Sequence, residues 1–229
     1  MSKTDIQEMF ECAVHIGHRT HKWNPKMKKY IYTEKNGIHI IDLEKTSVLL
    51  VKAFNFLSKS AAEGKTILFV STKPQSINLL QEAAKSCSMP YVIAKWIPGL
   101  LTNFSTIKTR IKYLSDLKEQ KASGELDKYT KKEAANLKKT MDKLQISLGG
   151  VQDLKQKPDV LFVLDVLRDK IVVQEAKKLG IPVVGIVDTN SDPTTVDFPI
   201  PGNDDALKSL EFFTNCVTEA VRGTGKTKQ

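Results

Sequence analysis

The apolar positions in the second half of the chain predict a βαβ unit. Two runs, 160–164 and 183–187, are apolar without alternation, which is typical of parallel strands that helices cover on both faces. Between the runs, a helix is predicted by the spacing of Ile171, Val172, Glu175, Ala176 and Leu179. Gly180 stands where helices commonly end. Polar residues follow each run, at the edge where open α/β sheets usually bind ligands, and 188–205 is predicted to be a long polar loop.

The first half of the chain continues the alternation of strand and helix. The pattern predicts a helix over 6–14 that ends near Gly17, followed by an irregular segment over 15–35. The last residues of that segment begin a predicted hairpin over 30–41. Beyond it, the pattern predicts helices over 43–62 and 75–86 and strands over 66–70 and 91–93. Together these elements predict an α/β fold, a flavodoxin-like or Rossmann-like parallel sheet flanked by helices.

The period changes between Phe104 and Leu148, where apolar residues follow heptad spacing. The two seams consist of Phe104, Ile107, Ile111 and Leu114, and of Ala134, Leu137, Met141, Leu144 and Leu148. A polar turn over 120–128 separates them, and Thr130 with Glu133 forms a capping box. We predict that 104–148 is an antiparallel coiled-coil hairpin with a self-contained seam, inserted into a core of 1–103 and 149–229.

Composition narrows the choice of partners. The 229 residues contain 35 Lys and Arg against 26 Asp and Glu, a formal charge of +9 that favours a polyanion over a neutral ligand. The three cysteines, Cys12, Cys87 and Cys216, show no metal-binding or disulfide spacing and are predicted to be free thiols. Neither a signal peptide nor an apolar run of bilayer length is present, so we expect a cytoplasmic protein with no membrane contact.

A basic segment near the N-terminus is the strongest candidate for nucleic-acid binding. Between residues 15 and 35 six cations face a single acid, Glu34. The cations are Arg19, Lys22, Lys26, Lys28, Lys29 and Lys35, and Trp23, Tyr30 and Tyr32 are interleaved among them. Lysines neutralise phosphates and aromatic rings stack on unpaired bases, although these rings could equally plug the edge of a sheet. Asn24 and Pro25 predict an extended turn that fans the side chains out.

Histidines and acids offer a candidate metal site. The spacing of His15, His18 and His21 is compatible with ligands on one helix face, but Gly17 makes a continuous helix there improbable, and a surface histidine is more often a hydrogen-bond partner. A better set pairs His18 with carboxylates of the distant loop, namely Asp188, Asp204 and Asp205. Imidazole mixed with carboxylates suits zinc, whereas oxygen ligands alone suit magnesium.

An enzyme is the main alternative class. Four acids stand at or just beyond predicted strand ends: Asp165, Asp169, Asp188 and Asp192. The chain contains none of the usual phosphate-cradle or hydrolase motifs, and the acids would equally cap helices. A nucleic-acid binder outside the ribosome is a third class, but no helix-turn-helix, zinc-finger or aromatic RNA-binding strand motif is visible.

Four long segments of the chain resemble one family, the bacterial type of small-subunit ribosomal protein S2. They are HIGHRTHKWNPKMKKYIYTEKNGIHIIDLEKT at 15–46, ILFVSTKPQ at 67–75, KWIPGLLTNFSTI at 95–107, and the stretch of 158–205 that contains GIVDTNSDP. They occur in the family's order and with its approximate spacing. Pro98 and Ser71 stand where the family usually has glycine, so the local turns are expected to differ from those of the family.

The resemblance implies a structural constituent of the small ribosomal subunit that binds small-subunit rRNA, of bacterial or organellar type, and not an enzyme. It also implies contacts with neighbouring small-subunit proteins, including the large mRNA-binding one where present, and no free homo-oligomer. The hairpin, with eleven cations against six acids over 105–148, would serve as an arm that faces rRNA and protein neighbours. The predicted RNA-binding residues are Arg19, Lys22, Trp23, Asn24, Lys26, Lys28, Lys29, Lys73, Lys95, Thr102 and Asn103.

Overall fold

A five-stranded parallel sheet forms the centre of the computed structural model, which describes residues 6–124 and 129–223. Its strands are β4 (Ile67–Val70), β5 (Tyr91–Val92), β6 (Val160–Val163), β7 (Val183–Val187) and β8 (Phe198–Pro201). Their order is β5-β4-β6-β7-β8, and every neighbouring pair is parallel. Strands β4, β6 and β7 are buried along their whole length, as their unbroken apolar runs predict.

Helices cover both faces of this sheet. One face packs against α2 (Leu43–Ala62), α3 (Ile77–Ser86) and α7 (Leu207–Arg222), and the other packs against α6 (Lys170–Leu179). Alternate residues of a strand serve the two cores, since Phe69 and Phe162 belong to one cluster while Leu68 and Leu161 belong to the other. The predicted α/β fold is therefore confirmed. Among the helices that the structure describes, none combines the length and the apolar character that crossing a bilayer requires.

A second, antiparallel sheet occupies the N-terminal region, where the prediction was only partly correct. Its strands β1 (Ile16–Arg19), β2 (Ile31–Lys35) and β3 (Ile38–Ile41) lie in the order β1-β3-β2. The hairpin of β2 and β3 is confirmed, but 15–35 is not irregular, because β1 pairs with β3 and two 3-10 helices follow it. Helix α1 (Ile6–Glu11) ends earlier than predicted, and Ala13 beyond it has a left-handed φ of 58°.

The prediction that 188–205 is a loop was wrong at β8. Residues Phe198–Pro201 form the fifth strand and pair with β7. Its two prolines conceal the strand in the sequence, because proline cannot donate to a ladder. Strand β8 tolerates them because it lies at the edge of the sheet, with a neighbour on one side only.

The inserted region contains α4 (Phe104–Ala122) and α5 (Lys131–Leu148), which contact each other. The capping box of Thr130 and Glu133 is confirmed. Supercoiling of this hairpin and the division into domains stay predictions. Residues 1–5 and 224–229 of the predicted core, and residues 125–128 of the predicted turn, lie outside the described residues. The buried face of the hairpin joins one of the core clusters without a break, since Phe104, Ile107 and Leu148 belong to the same cluster as Trp96 and Val151.

Candidate nucleic-acid interface

The basic segment lies against the carboxyl ends of the parallel strands. The backbone N–H of Asn24 donates to the carbonyl of Thr189, just beyond β7, at 2.7 Å, and the N–H of His18 donates to the Thr189 hydroxyl at 2.8 Å. A side chain at Gly17 would collide with Thr189, since a Cβ there would lie 2.6 Å from Thr189 Cγ2. This close approach fixes the start of the segment on the core.

Residues Pro25–Tyr30 form a 3-10 helix, so the predicted extended turn is wrong beyond Asn24. The Asn24 side chain accepts a hydrogen bond from the Lys26 N–H at 3.0 Å and caps the helix, whose first residue is Pro25. Side chains three apart share a face of a 3-10 helix. Met27 and Tyr30 are accordingly buried together, while Lys26 and Lys29 point to solvent on another face.

The predicted phosphate-binding cations of this segment are exposed. Arg19, Lys28 and Lys29 form no ion pair in the described part of the chain, although the Lys29 ammonium lies 4.8 Å from the centroid of the Tyr30 ring. Lys26 differs, because its ammonium lies 2.5 Å from Asp192 and also bonds to Thr194. Burial alone would raise the pKa of Asp192, but the bonds from Lys26 and Thr194 outweigh it and lower that pKa to about 2.

The three aromatic residues of the segment have different environments. Tyr30 is buried in the core, as the alternative interpretation had it. Tyr32 is 76% exposed, and Trp23 is 37% exposed and packs at a tilt against His39, with 5.3 Å between the ring centroids. Trp23 and Tyr32 therefore remain available to stack on unpaired bases, while Tyr30 does not.

Lys73, which was predicted to bind RNA, is buried among carboxylates. Lys73 is only 6% exposed, and its ammonium lies 3.2 Å from Asp165, 2.9 Å from Asp204 and 2.6 Å from Asp205. It also donates to the carbonyl of Asp204. Burial alone would lower the pKa of Lys73, but these carboxylates raise it, so the ammonium ion neutralises an acidic cluster inside the protein.

The acids beyond the strand ends bond to neighbouring parts of the core. Asp169 accepts the N–H and the hydroxyl of Thr72, at 3.1 and 2.8 Å, and Asp165 accepts the N–H of Arg168. Burial raises the pKa of Asp169 in spite of the bonds from Thr72. These contacts tie the loops after β4 and β6 together.

The predicted metal set comes together in space. His18 Nδ1 lies 3.1 Å from Asp188, and His18 Nε2 lies 3.3 Å from Asp205. Ligand atoms of His18, Asp188 and Asp204 all lie within 4.8 Å of one another, and one imidazole with two carboxylates is a donor set that fits zinc. The hydrogen bond that His18 donates to Asp188 raises the pKa of His18 although burial opposes it, while burial and the charges of Asp188 and Asp165 raise the pKa of Asp204.

Glu175, on α6, organises the base of the hairpin. Its carboxylate accepts five hydrogen bonds, from the indole N–H of Trp96, the backbone N–H groups of Gly99, Leu101 and Thr102, and the Thr102 hydroxyl. Burial alone would raise the pKa of Glu175, but these bonds lower it. The sequence pattern predicted only that Glu175 lies on the apolar face of a helix. An acid at such a position was the signal that its carboxylate accepts hydrogen bonds inside the protein.

The predicted RNA-binding residues at the hairpin base are exposed around that carboxylate. Lys95 and Asn103 face solvent, whereas the Thr102 hydroxyl is already bonded to Glu175. Phe104 is buried in the core, with the Lys108 ammonium 5.4 Å from the centroid of its ring. Phe104 therefore faces the core.

Comparison with known proteins identifies relatives over nearly the whole chain. The family model for ribosomal protein S2 matches residues 9–224. Small ribosomal subunit protein uS2c of Cyanophora paradoxa is 46% identical over 228 residues, which cover 100% of this chain and 98% of the relative. Small ribosomal subunit protein uS2 of Campylobacter hominis is 49% identical, covering 94% and 81%. That of Dictyoglomus turgidum is 48% identical, covering 94% and 88%. The chain belongs to the ribosomal protein S2 family.

Proposed function

We propose that this member of the ribosomal protein S2 family, a structural constituent of the small ribosomal subunit, is held there by binding small-subunit rRNA through its N-terminal basic segment. The observation that carries the proposal is the set of exposed cations on a scaffold fixed to the sheet. The binding residues of the segment are Arg19, Lys22, Trp23, Lys26, Lys28 and Lys29, with Asn24 as the cap that positions them.

Rigid attachment supports this role. The segment is bonded to Thr189 at its start and closes with the buried pair Met27 and Tyr30, so its lysines are presented without a large ordering cost. Exposed lysines on such a frame neutralise phosphates and release counterions, which gives salt-dependent affinity. Lys73 takes no part, since it is neutralised inside the core.

A salt series tests the proposal. Replacing Lys22, Lys28 and Lys29 with Ala removes three exposed charges and leaves the Lys26 pair intact. We expect weaker binding to small-subunit rRNA, and a slope of log affinity against log salt that falls by about 2–3 units. Unfolding should hardly change, because exposed lysines contribute little to stability.

The matched control removes three exposed lysines elsewhere: Lys52, Lys85 and Lys157. Lys85 and Lys157 lie near the amino ends of the parallel strands, opposite the proposed interface. This variant should keep the salt slope of the parent chain to within about one unit. If both triple variants lose the same affinity for rRNA, the loss is explained by the lower net charge alone. An unchanged salt slope in the first variant would refute the proposal.

The hairpin is proposed as a second contact. Lys95 and Asn103 at its base are exposed and lie in the loop that Glu175 fixes. Contacts of the hairpin with rRNA, and of the chain with the large mRNA-binding protein and other neighbours, rest on the family resemblance. Relatives from bacteria and from Cyanophora paradoxa support a bacterial or organellar type.

The enzyme alternative receives no support from the acids that prompted it. Asp165 and Asp169 bond to Lys73 and Thr72, and Asp192 bonds to Lys26. Each of these contacts has a structural use, so the acids call for no substrate to explain them. The family is a ribosomal one.

A divalent cation, zinc before magnesium, is proposed at His18, Asp188 and Asp204, with Asp205 beside them. Four carboxylates, including Asp165, surround the imidazole of His18 and the single ammonium of Lys73, so the cluster offers more carboxylates than this ammonium neutralises. A bound ion would link β1 to the loops after β7 and β8.

Dialysis against Zn²⁺ or Mg²⁺, followed by metal analysis, tests this site. We expect one equivalent of Zn²⁺ to stay with the parent chain, to raise its unfolding temperature, and to be lost in His18→Ala. Retention of Mg²⁺ alone would show an oxygen-only site. Retention of Zn²⁺ by the His18→Ala variant, or of neither metal by the parent, would contradict a site at His18.

A further inference from the structure

We propose that Trp23 and His39 together bind one unpaired ribonucleotide of rRNA, with the base stacked on the indole and the 2′-hydroxyl hydrogen-bonded to the imidazole. The proposal rests on the proposed function and deepens it, because it names the feature of the nucleic acid that this surface distinguishes. His39 was not among the residues predicted from the sequence to bind RNA.

His39 is a buried polar side chain that has no hydrogen-bond partner for its ring nitrogens in the described part of the chain. It lies on β3, the central strand of the N-terminal sheet, and is 9% exposed. Neither of its ring nitrogens has a hydrogen-bond partner within residues 6–124 and 129–223. Glu34 is its cross-strand neighbour on β2, yet it is not bonded to the imidazole. Buried polar groups are nearly always hydrogen-bonded, so two unused nitrogens on one ring point to a ligand.

Trp23 forms the outer wall of this site. Its indole is tilted by 44° to the imidazole, with the centroids 5.3 Å apart, and 37% of the residue is exposed. Part of the ring system thus covers His39 while the remainder faces solvent. The backbone beside it is fixed, because Asn24 N–H donates to Thr189 and the Asn24 side chain caps the next helix. A fixed aromatic ring is a suitable platform for a base, since little freedom is lost on binding.

The chemistry of the imidazole matches a ribose better than a deoxyribose. A neutral histidine has one nitrogen that donates and one that accepts. The 2′-hydroxyl of RNA likewise donates and accepts, and it is the group by which proteins distinguish RNA from DNA. Both imidazole nitrogens are buried, so the sugar of a base on Trp23 reaches them only when the indole turns aside from the imidazole.

A neighbouring cation favours a nucleotide over a neutral ligand. Lys22 directly precedes Trp23 and is exposed. It is placed to hold a phosphate next to the stacked nucleotide, and its contribution to binding is salt-dependent. Arg19 does not share this surface, because it pairs with Ile38, whose side chain lies on the opposite face of the sheet from His39. The hydrogen bond to His39 and the stack on Trp23 release no counterions and should leave the salt slope unchanged.

Two oligonucleotides that differ only in the 2′-hydroxyl test the proposal. A short oligouridylate and the corresponding oligodeoxyuridylate are titrated into the parent chain, His39→Leu and His39→Phe. We expect the parent to prefer the ribo form by about five-fold, the effect of one hydrogen bond. Both variants should bind the two oligomers equally, with the deoxy affinity of the parent retained. Equal binding by the parent, or a preference that survives in a folded variant, would overturn the proposal.

Fluorescence reports the stack separately. The chain contains two tryptophans, and Trp96 is buried with its N–H bonded to Glu175. Oligouridylate should quench the emission of the parent, and the quenching should disappear in Trp23→Phe. Quenching that persists in this variant would contradict the proposal. Because the parent is compared on two ligands, the test stands even if a His39 variant fails to fold.

The outcomes separate this proposal from the proposed function. If the parent binds small-subunit rRNA with a salt slope that depends on Lys22, Lys28 and Lys29, but shows no preference for the ribo form, only the nucleotide site fails. If the parent does not bind small-subunit rRNA, the proposed function fails and the nucleotide site fails with it.

Discussion

At the scale of single residues, buried charges determine which side chains remain available for RNA. Glu175 accepts five hydrogen bonds and so holds the loop that carries Lys95 and Asn103. Lys73 forms ion pairs with three carboxylates, and Lys26 forms an ion pair with Asp192. The number of lysines and arginines in the sequence therefore exceeds the number of cations available to bind RNA. A mutation at a paired lysine also breaks an ion pair, so its effect is not limited to RNA binding.

The contribution of Glu175 to stability should depend on pH. Glu175→Ala is expected to lower the free energy of unfolding by about 3 kcal/mol, because it leaves several buried donors without an acceptor. The pKa of Glu175 is lower in the folded than in the unfolded chain, so its stabilisation is complete above the unfolded value of about 4.3 and is lost as the pH falls through the folded value.

Urea unfolding of the parent and of Glu175→Gln from neutral pH down to about pH 3 measures this dependence. The stability difference between the two proteins should shrink as the pH falls. Glu82→Gln, an exposed change on α3, provides the control and should show almost no difference at any pH. If the difference in unfolding free energy between the parent and Glu175→Gln stays constant across this pH range, the charge of the carboxylate is not the cause of the difference.

Asp192→Asn should strengthen RNA binding. The amide retains an acceptor for Thr194, but it releases Lys26 and removes a negative charge beside the basic segment. The salt slope should rise by up to about one unit, with a stability loss below about 1 kcal/mol for a surface pair. Asp153→Asn removes the same charge from an exposed acid near the other edge of the sheet and should leave the slope unchanged. Filter binding across a salt series compares the two, and equal effects would mean that Lys26 was not released.

The residue types of this site could be predicted, but not their availability. Lys29 stands beside Tyr30 and Lys73 stands beside Pro74, yet Lys29 is exposed and Lys73 is buried. The partners Asp165 and Asp204 lie 92 and 131 residues from Lys73 in sequence, and only the folded sheet brings them to it. His39 was missed for the same reason, because the lack of a partner is a property of the fold.

At the scale of elements, short segments were the ones that sequence patterns could not resolve. Long apolar runs and helical spacing correctly predicted β4, β6, β7 and the main helices. Strand β8 is hidden by its prolines, and β1 has four residues with little alternation, so its pairing with β3 was invisible. The 3-10 helix over Pro25–Tyr30 has a period of three and is too short to display it.

The hairpin provides the test at this scale. Because its base shares a cluster with Trp96 and Val151, replacing all of 104–148 by a linker should lower the core's unfolding free energy substantially. Replacing only 119–136 keeps Leu114, Leu117 and Met141, and we expect a cooperative transition close to that of the parent. Thermal unfolding distinguishes the two. An undisturbed core after the full replacement would support the self-contained seam that heptad spacing predicts.

At the scale of the whole molecule, the parallel sheet arranges two kinds of charge at one edge. The carboxyl ends of its strands hold an acidic cluster that Lys73 partly neutralises and that His18 contacts. The basic segment is bonded across the same edge through Thr189 and Asp192. The acids thus hold the segment in place from below, while its exposed cations face outward. This arrangement makes one face of the protein the proposed rRNA surface.

Site-specific crosslinking in assembled small subunits tests that assignment most directly. A photoreactive amino acid is placed at Lys28 in one variant and at Lys157 in another, both at exposed positions on opposite sides of the molecule. We expect the probe at residue 28 to crosslink to a defined site in small-subunit rRNA and the probe at residue 157 to give no crosslink at that site. Crosslinks to rRNA from residue 157 but none from residue 28 would contradict the assignment of this face as the rRNA surface.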